Sequence, residues 1–445
     1  MRFLCRFSTF LAVVSLMTVS VPAADSQLES ISEVATHQQS RTIAITDGDQ
    51  SLTVNAFCLD DRDNIVAVCG AGPGQVRILD QQGETIRSWE IEIKPESIHV
   101  DANNTVLVGG EGKLFRFDIK GELLVQADSP HAISMRENRE DLRKAAIQAL
   151  QPAANMLERR IESYERIITM LEEKSENAEL NEQETRMLES LPKTLATWKE
   201  ERAEELEGEA KEGTEDDKKN KGPSEEKIQE RIDMMVRSKM RISSITSGDE
   251  HVFVTTRSTE GYGFDVWKIN HELTGGEILI TGLSGCCGQM DVQCCRKGDE
   301  TVGLFVAENS RGQVAHYGLD GEAIHQWGKK DRTGKDGFTS CCNPMNVCFN
   351  AGGDVYTAES STGRIKRFSA GGELLDFVGD VELVPGCKNV SIAVSKKTDA
   401  VLMLDITRGH VIVMEPKTSE PANEEPANNE PTNNDLAKAG SNEGE

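Results

Sequence analysis

A glycine followed by apolar residues two and five positions later recurs along this chain. It appears at Gly74 (Val76, Leu79), Gly112 (Leu114, Phe117), Gly312 (Val314, Tyr317), Gly363 (Ile365, Phe368) and Gly409 (Val411, Met414). On a strand, offsets of two and five put the two side chains on opposite faces. A sheet that is apolar on both faces must be covered on both. Nine residues after the first four of these glycines comes a Gly-Glu pair: Gly83-Glu84, Gly121-Glu122, Gly321-Glu322 and Gly372-Glu373. A degenerate sixth copy has Phe264 in the glycine's place, Val266 and Ile269 behind it, and Gly276-Glu277 after a longer turn.

The best-formed copy runs from Cys341 to Gly379. Met345, Val347 and Phe349 alternate with polar residues, as a half-buried strand does. Turns at Asn350 to Gly353, Ser361 to Gly363 and Gly371-Gly372 then separate three further strand-like runs. One four-stranded sheet of about 40 residues cannot bury both faces by itself, so it must stack against its copies. The expected fold is therefore mainly β, a six-bladed β-propeller with blades 1 and 2 in residues 41–128 and blades 3 to 6 in residues 241–416. The last unit lacks an outer strand. Arg41 to Thr46 (alternating, and ahead of the first full unit) is expected to supply it and so remove an exposed edge.

Between the second and third units the period changes. Ser134 with Glu137 reads as a capping box. Leu142, Ala146, Leu150, Leu157, Ile161 and Ile168 follow helical spacing, with Pro152 expected to kink or divide that helix. A second helix is expected from Asn181 and a third from Glu225, with a charged linker between them. Residues 129–240 thus read as an inserted α-helical, coiled-coil-like hairpin, self-packed or serving as a contact arm for a protein partner. Arg2 and Arg6, the apolar run Phe7 to Val21 and the Val21-Pro22-Ala23 site read as a signal peptide over residues 1–23. That predicts a periplasmic or secreted protein with no membrane span after signal removal. Residues 417–445 repeat Glu-Pro-Ala/Thr-Asn and read as a disordered tail. The formal charge of −26 argues against nucleic acid or an anionic membrane as partner.

Where chemistry would lie follows from register. Cys286-Cys287, Cys341-Cys342 and Cys387 hold equivalent places just before the first strands of three successive units. In the same units an acid stands four residues before the repeat glycine: Glu308, Glu359 and Asp405. Both sets are expected at the channel mouth, on the face carrying the blade-to-blade loops. Such thiolates would suit zinc, copper or an iron–sulfur cluster. An even number of cysteines in an exported chain also suits disulfides bridging neighbouring blade starts, and the acids can equally serve as backbone acceptors in tight loops. Cys58 and Cys69, on the first hairpin, are expected to bond to each other. Cys294, Cys295 and Cys348 read as core cysteines.

The runs from Ala307 to Ile324 and from Ala358 to Leu375, without the Gly-His and Trp-Asp marks of the WD40 type, resemble the NHL-repeat six-bladed β-propellers of the exported bacterial type. That resemblance implies a rigid scaffold whose functions range from binding to lyase and lactonase chemistry. The histidine-based zinc pattern of the lyases is absent, since none of the eight histidines repeats at a fixed place in the units. The resulting expectation is an exported binding or scaffold protein, holding a small ligand or a protein partner at the channel mouth. The alternative is a metal- or thiol-dependent enzyme using the Cys/acid cluster.

Overall fold

The computed structural model describes residues 34–150, 154–177, 180, 182–211, 223–298, 300–331, 333–334, 337–340 and 342–417. Among these, six four-stranded antiparallel sheets dominate. Sheet 1 comprises Val54–Leu59, Ile65–Cys69, Gly74–Leu79 and Thr85–Ile91, and sheet 2 comprises Ser97–Val100, Thr105–Gly110, Lys113–Asp118 and Leu123–Asp128. Sheet 3 holds Ile242–Ser247, Val252–Arg257, Phe264–Ile269 and Glu277–Leu283, and sheet 4 holds Asp291–Lys297, Glu300–Glu308, Gln313–Tyr317 and Ala323–Trp327. Sheet 5 is Asn346–Phe349, Val355–Ala358, Arg364–Phe368 and Leu374–Asp380. Sheet 6 takes Ile392–Val394, Val401–Asp405 and His410–Pro416 from the end of the chain, and its fourth strand, His37–Ala44, from the beginning. That strand pairs Thr42 with Ile412 and Ala44 with His410. The first strands neighbour one another in the order 1–2–3–4–5–6–1.

The two-and-five offset explains this stacking. Val76 packs into the core between sheets 1 and 2, while Leu79 packs between sheets 6 and 1. Leu114 and Phe117 divide in the same way between the next two cores. So do Val266 and Ile269, Val314 and Tyr317, Ile365 and Phe368, and Val411 and Met414. Six inter-sheet cores result, and each third strand contributes to two of them. Full burial of one such side chain stabilises by about 1.5–3 kcal/mol.

The Gly-Glu turns make a second kind of contact. Gly372 has φ +88°, and a Cβ there would sit 2.6 Å from the Trp327 ring on the outer strand of the preceding sheet. Gly121 stands likewise against Trp89, with φ +91° and 2.8 Å. Both the left-handed backbone and the close approach require glycine.

The chain between sheets 2 and 3 is helical: α1 (Pro130–Glu137), α2 (Arg139–Leu150), α3 (Ala154–Asn177), α4 (Glu182–Lys211) and α5 (Glu225–Lys239). The helix start differs from the expected capping box. Ser129 is the N-cap, Pro130 opens the helix, and Ser134 lies inside it. Proline fits a first helical position, where its missing N–H is no loss. Helix α1 is seated on the sheets through buried His131, Ala132 and Met135. Helices α2 and α5 pack together around Ala146, Ile228 and Ile232. Helix α4 extends through Lys211, into the Gly208 to Ser224 stretch expected to be linker, and keeps Pro192 inside it. The signal segment, Pro152, Asn181 and the tail from residue 418 lie outside the described residues. No helix among those described is long and apolar enough to cross a membrane.

Candidate functional site

Each acid four residues before a repeat glycine does two structural jobs. Its carbonyl closes a tight turn by accepting the glycine N–H, at 3.1 Å for Glu308–Gly312, 2.8 Å for Glu359–Gly363 and 2.9 Å for Asp405–Gly409. Its carboxylate reaches across to the linker arriving from the preceding sheet. Glu308 Oε1 accepts the Ser284 N–H at 3.2 Å, Glu359 Oε2 the Thr339 N–H at 3.2 Å, and Asp405 Oδ2 the Val384 N–H at 3.0 Å. All three residues are buried. Glu308 and Asp405 are further paired with Arg311 and Arg408. Glu359 Oε1 lies 3.2 Å from Lys366 Nζ, and both side chains are almost fully enclosed.

Those linkers carry the cysteines. Ser284 stands two residues before Cys286, Thr339 three before Cys342, and Val384 three before Cys387. Carboxylates and thiols therefore share one face but do not mix. Among the described His, Cys, Asp and Glu residues, the group able to converge on one ion is Cys286, Cys287 and Cys342, whose sulfurs lie within 4.8 Å of one another. The separations are 3.4 Å for Cys286–Cys287, 3.7 Å for Cys287–Cys342 and 3.2 Å for Cys342–Cys286. Cys387 Sγ lies 2.7 Å from Cys342 Sγ. Cys342 is buried at the centre, and Cys287 and Cys387 are exposed at the edge. Cys341 lies outside the described residues.

Local backbone geometry makes the cluster. Cys287 has φ +55°, the left-handed region that a non-glycine residue seldom occupies. Adjacent side chains on an extended chain point apart, and this turn brings the sulfurs of Cys286 and Cys287 to the same side. Buried Asn309 accepts the Cys286 N–H at 2.6 Å and donates to the Gln289 carbonyl at 3.1 Å. Asn343 Oδ1 accepts the Ser360 N–H at 3.0 Å, and its Nδ2 donates to the Thr339 carbonyl at 2.7 Å. Sequence reasoning did not single out these two asparagines. Their positions, beside Glu308 and beside Cys342, are the one signal that could have pointed to them. Beside Cys287, an open cleft of about 460 Å³ is bordered by Arg257, Tyr262 and Arg311.

The centre of the molecule offers a different environment. A cavity of about 450 Å³ is lined by the first strands of all six sheets, with Cys58, His99, Asp291 and Cys348 among its walls. Burial pushes the Cys58 thiol up to about 12 and the His99 imidazole down to about 4. Burial likewise raises Cys294 and Cys348. At neutral pH these groups are uncharged, which disfavours thiolate chemistry there. Asp291 instead accepts the Val347 N–H at 2.9 Å, tying sheet 4 to sheet 5.

The expected Cys58–Cys69 disulfide is corrected by the structure. Both are free thiols. The ladder opposes Cys58 to Val66 and Cys69 to Val54, four steps apart along the hairpin. Cys58 packs toward the core between sheets 1 and 2 and Cys69 into that between sheets 6 and 1, so their side chains leave opposite faces of the sheet.

No family model and no curated protein matches this chain. Solved structures similar to it include the β-propeller domain of Myceliophteria thermophila Cps50, at 11% identity and TM-score 0.43, covering 86% of this chain and 100% of that one. Another is the WD40 β-propeller domain of Doa1, at 8% identity and TM-score 0.39, covering 86% and 98%. Virginiamycin B lyase from Staphylococcus aureus, bound to quinupristin, overlaps at 10% identity and TM-score 0.41, covering 85% and 99%.

Proposed function

We propose that this chain is an exported, closed six-bladed β-propeller of the NHL-repeat type. In this reading it is a binding or scaffold protein that holds a ligand or partner at the mouth formed by the blade-to-blade loops. The observation that supports the reading is the set of linkers entering three successive sheets: each is fixed by a buried carboxylate, and together they bring a group of thiols to one place, with Cys287 and Cys387 exposed. A rigid frame with chemically distinctive tips suits recognition. The competing reading, a metal- or thiol-dependent lyase or lactonase using the Cys/acid cluster, would call on these carboxylates to move protons. Glu308, Glu359 and Asp405 instead spend theirs on backbone N–H groups and cations. Residues 1–23 support export to the periplasm or beyond, and the α3–α4 hairpin offers a second, protein-contacting surface.

A photo-crosslinking amino acid placed singly at exposed Pro385, on the mouth face, and at exposed Arg62 and Ala351, in loops at the opposite ends of the strands, tests the reading in the native host. Cell fractionation gives the compartment. Adducts of discrete mass, small or protein, at Pro385 and not at the other two are expected, from protein outside the cytoplasm. Adducts confined to Arg62 and Ala351, or a cytoplasmic protein, would overturn it.

A further inference from the structure

We infer that Cys286, Cys287, Cys342 and Cys387 form one tetrathiolate site for a single thiophilic closed-shell cation, Zn²⁺ or Cu⁺. The inference rests on the mouth-face reading and gives its ligand a chemical class. A disulfide has sulfurs about 2.05 Å apart and joins two of them. Among the described residues, Cys342 Sγ has sulfur neighbours at 2.7, 3.2 and 3.7 Å, and two of those neighbours are 3.4 Å from each other. Three sulfurs within 4.8 Å of one another are what a small ion organises, and Cys387, against Cys342 at the edge of the group, is the fourth donor at hand; a tetrahedral zinc with Zn–S of about 2.3 Å sets its sulfurs about 3.8 Å apart.

The second observation is backbone strain. The left-handed turn at Cys287 costs about 1–3 kcal/mol for a non-glycine residue, and glycine follows at 288 with φ +72°. Such strain persists where it does a job. Here it turns a vicinal pair, which would otherwise diverge, into two donors on the same side. Asn309, fully buried, locks the Cys286 amide in that turn. Two linkers complete the set from neighbouring sheets, so the ion would also clamp the starts of sheets 4, 5 and 6. Binding is a substitution without redox change: four S–H protons leave to water as four sulfur–metal bonds form. The resulting anionic centre lies beside the cleft bordered by Arg257 and Arg311.

The test uses the full mature chain, reduced and handled without oxygen, titrated with Co²⁺ as a spectroscopic probe. One equivalent per chain is expected, with the intense visible and near-ultraviolet bands of tetrahedral cobalt–thiolate. Zn²⁺ or Cu⁺ should displace it, and the free concentration each requires identifies the preferred ion. Cys342→Ser, and separately the exposed Cys287→Ser in case the buried variant fails to fold, should each weaken binding by about 100-fold or more. Cys348→Ser, in the central cavity, should leave the titration unchanged. The site is overturned by substoichiometric binding, by bands lacking thiolate character, by an unaltered titration in Cys287→Ser, or by a Cys342–Cys387 disulfide in protein from its native compartment. A blank titration alongside mouth-face crosslinks removes the metal and leaves the binding reading standing. A full titration with crosslinks only on the opposite face does the reverse.

Discussion

The sheets and the α3–α4 hairpin are held by opposite means. A residue such as Phe305 is fully buried, stacks on His316 at 4.1 Å, and meets Trp327 and Phe349 edge-on. Its neighbours come from two sheets. In the hairpin, Tyr164 meets Trp198 at 4.7 Å and Arg160 lies over the same ring. The accompanying ion pairs, Lys199–Glu165 and Lys174–Glu184, are surface pairs, the first exposed on both sides and the second on the lysine side. Exposed pairs contribute little, about 0–1 kcal/mol. The sheets therefore stand or fall together, because every core is shared, whereas the hairpin is a local structure joined to the rest through α1, α2 and α5.

The largest effect should come from emptying a shared core. Phe305→Ala is expected to cost about 4 kcal/mol by denaturant unfolding, while Trp198→Ala should leave the same transition in place. A small loss at Phe305 would break the comparison. Next comes the enclosed ion pair. Burial already holds the Lys366 ammonium below its usual range, and Glu359→Gln leaves that amine without its carboxylate partner. A loss of about 3 kcal/mol is expected. A stability equal to the wild type would show that the acid is dispensable to the frame and free for another role.

Acid should act through His131, a fully buried residue of α1 whose imidazole burial pushes down to about 4. The unfolded chain takes up this proton near 6.5 and the folded chain does not, so unfolding becomes easier as pH falls through 6.5, continuing to about 4. Between pH 6.5 and 5 the loss is about 2 kcal/mol. His131→Gln should remove its share of that slope and leave the share of His99, which burial lowers to the same range, as measured by thermal melts across the range. Gly372→Ala is expected to cost about 2 kcal/mol from its backbone and the Trp327 contact. Gly371→Ala, whose new Cβ would come no nearer than 3.7 Å to Ser369 Oγ, should cost almost nothing. The smallest effect sharpens the contrast most: replacing residues 151–222 by a short Gly/Ser linker should move the sheet transition by less than about 0.5 kcal/mol. A collapse of cooperative unfolding there would mean that the hairpin belongs to the core.

Four of the repeat glycines have φ between +68° and +75°, and four of the five Gly-Glu glycines, Gly276 excepted, between +86° and +92°. These are conformations that a bare sequence announces, because almost no other residue adopts them. The strand pairing of His37–Ala44 with His410–Pro416 was legible for a similar reason: an alternating run and an incomplete unit left each other as partners. The acids were only half legible. Their spacing showed that they matter, but a carboxylate four residues before a glycine looks the same whether it caps a loop or binds a ligand.

What the sequence by itself determined, then, is whatever depends on local period: strands with two apolar faces, tight turns, and the helical interruption between the second and third sheets. Alternation and turn chemistry act within a few residues, so they can be read from a few residues. Only the tertiary structure decided which cysteines meet. Cys58 and Cys69 lie eleven apart on one hairpin and leave opposite faces, while Cys342 and Cys387, forty-five apart, come within 2.7 Å. That outcome depends on a left-handed residue at 287, on asparagines bonding across loops, and on the stacking of neighbouring sheets. None of these is a property of the segments taken singly.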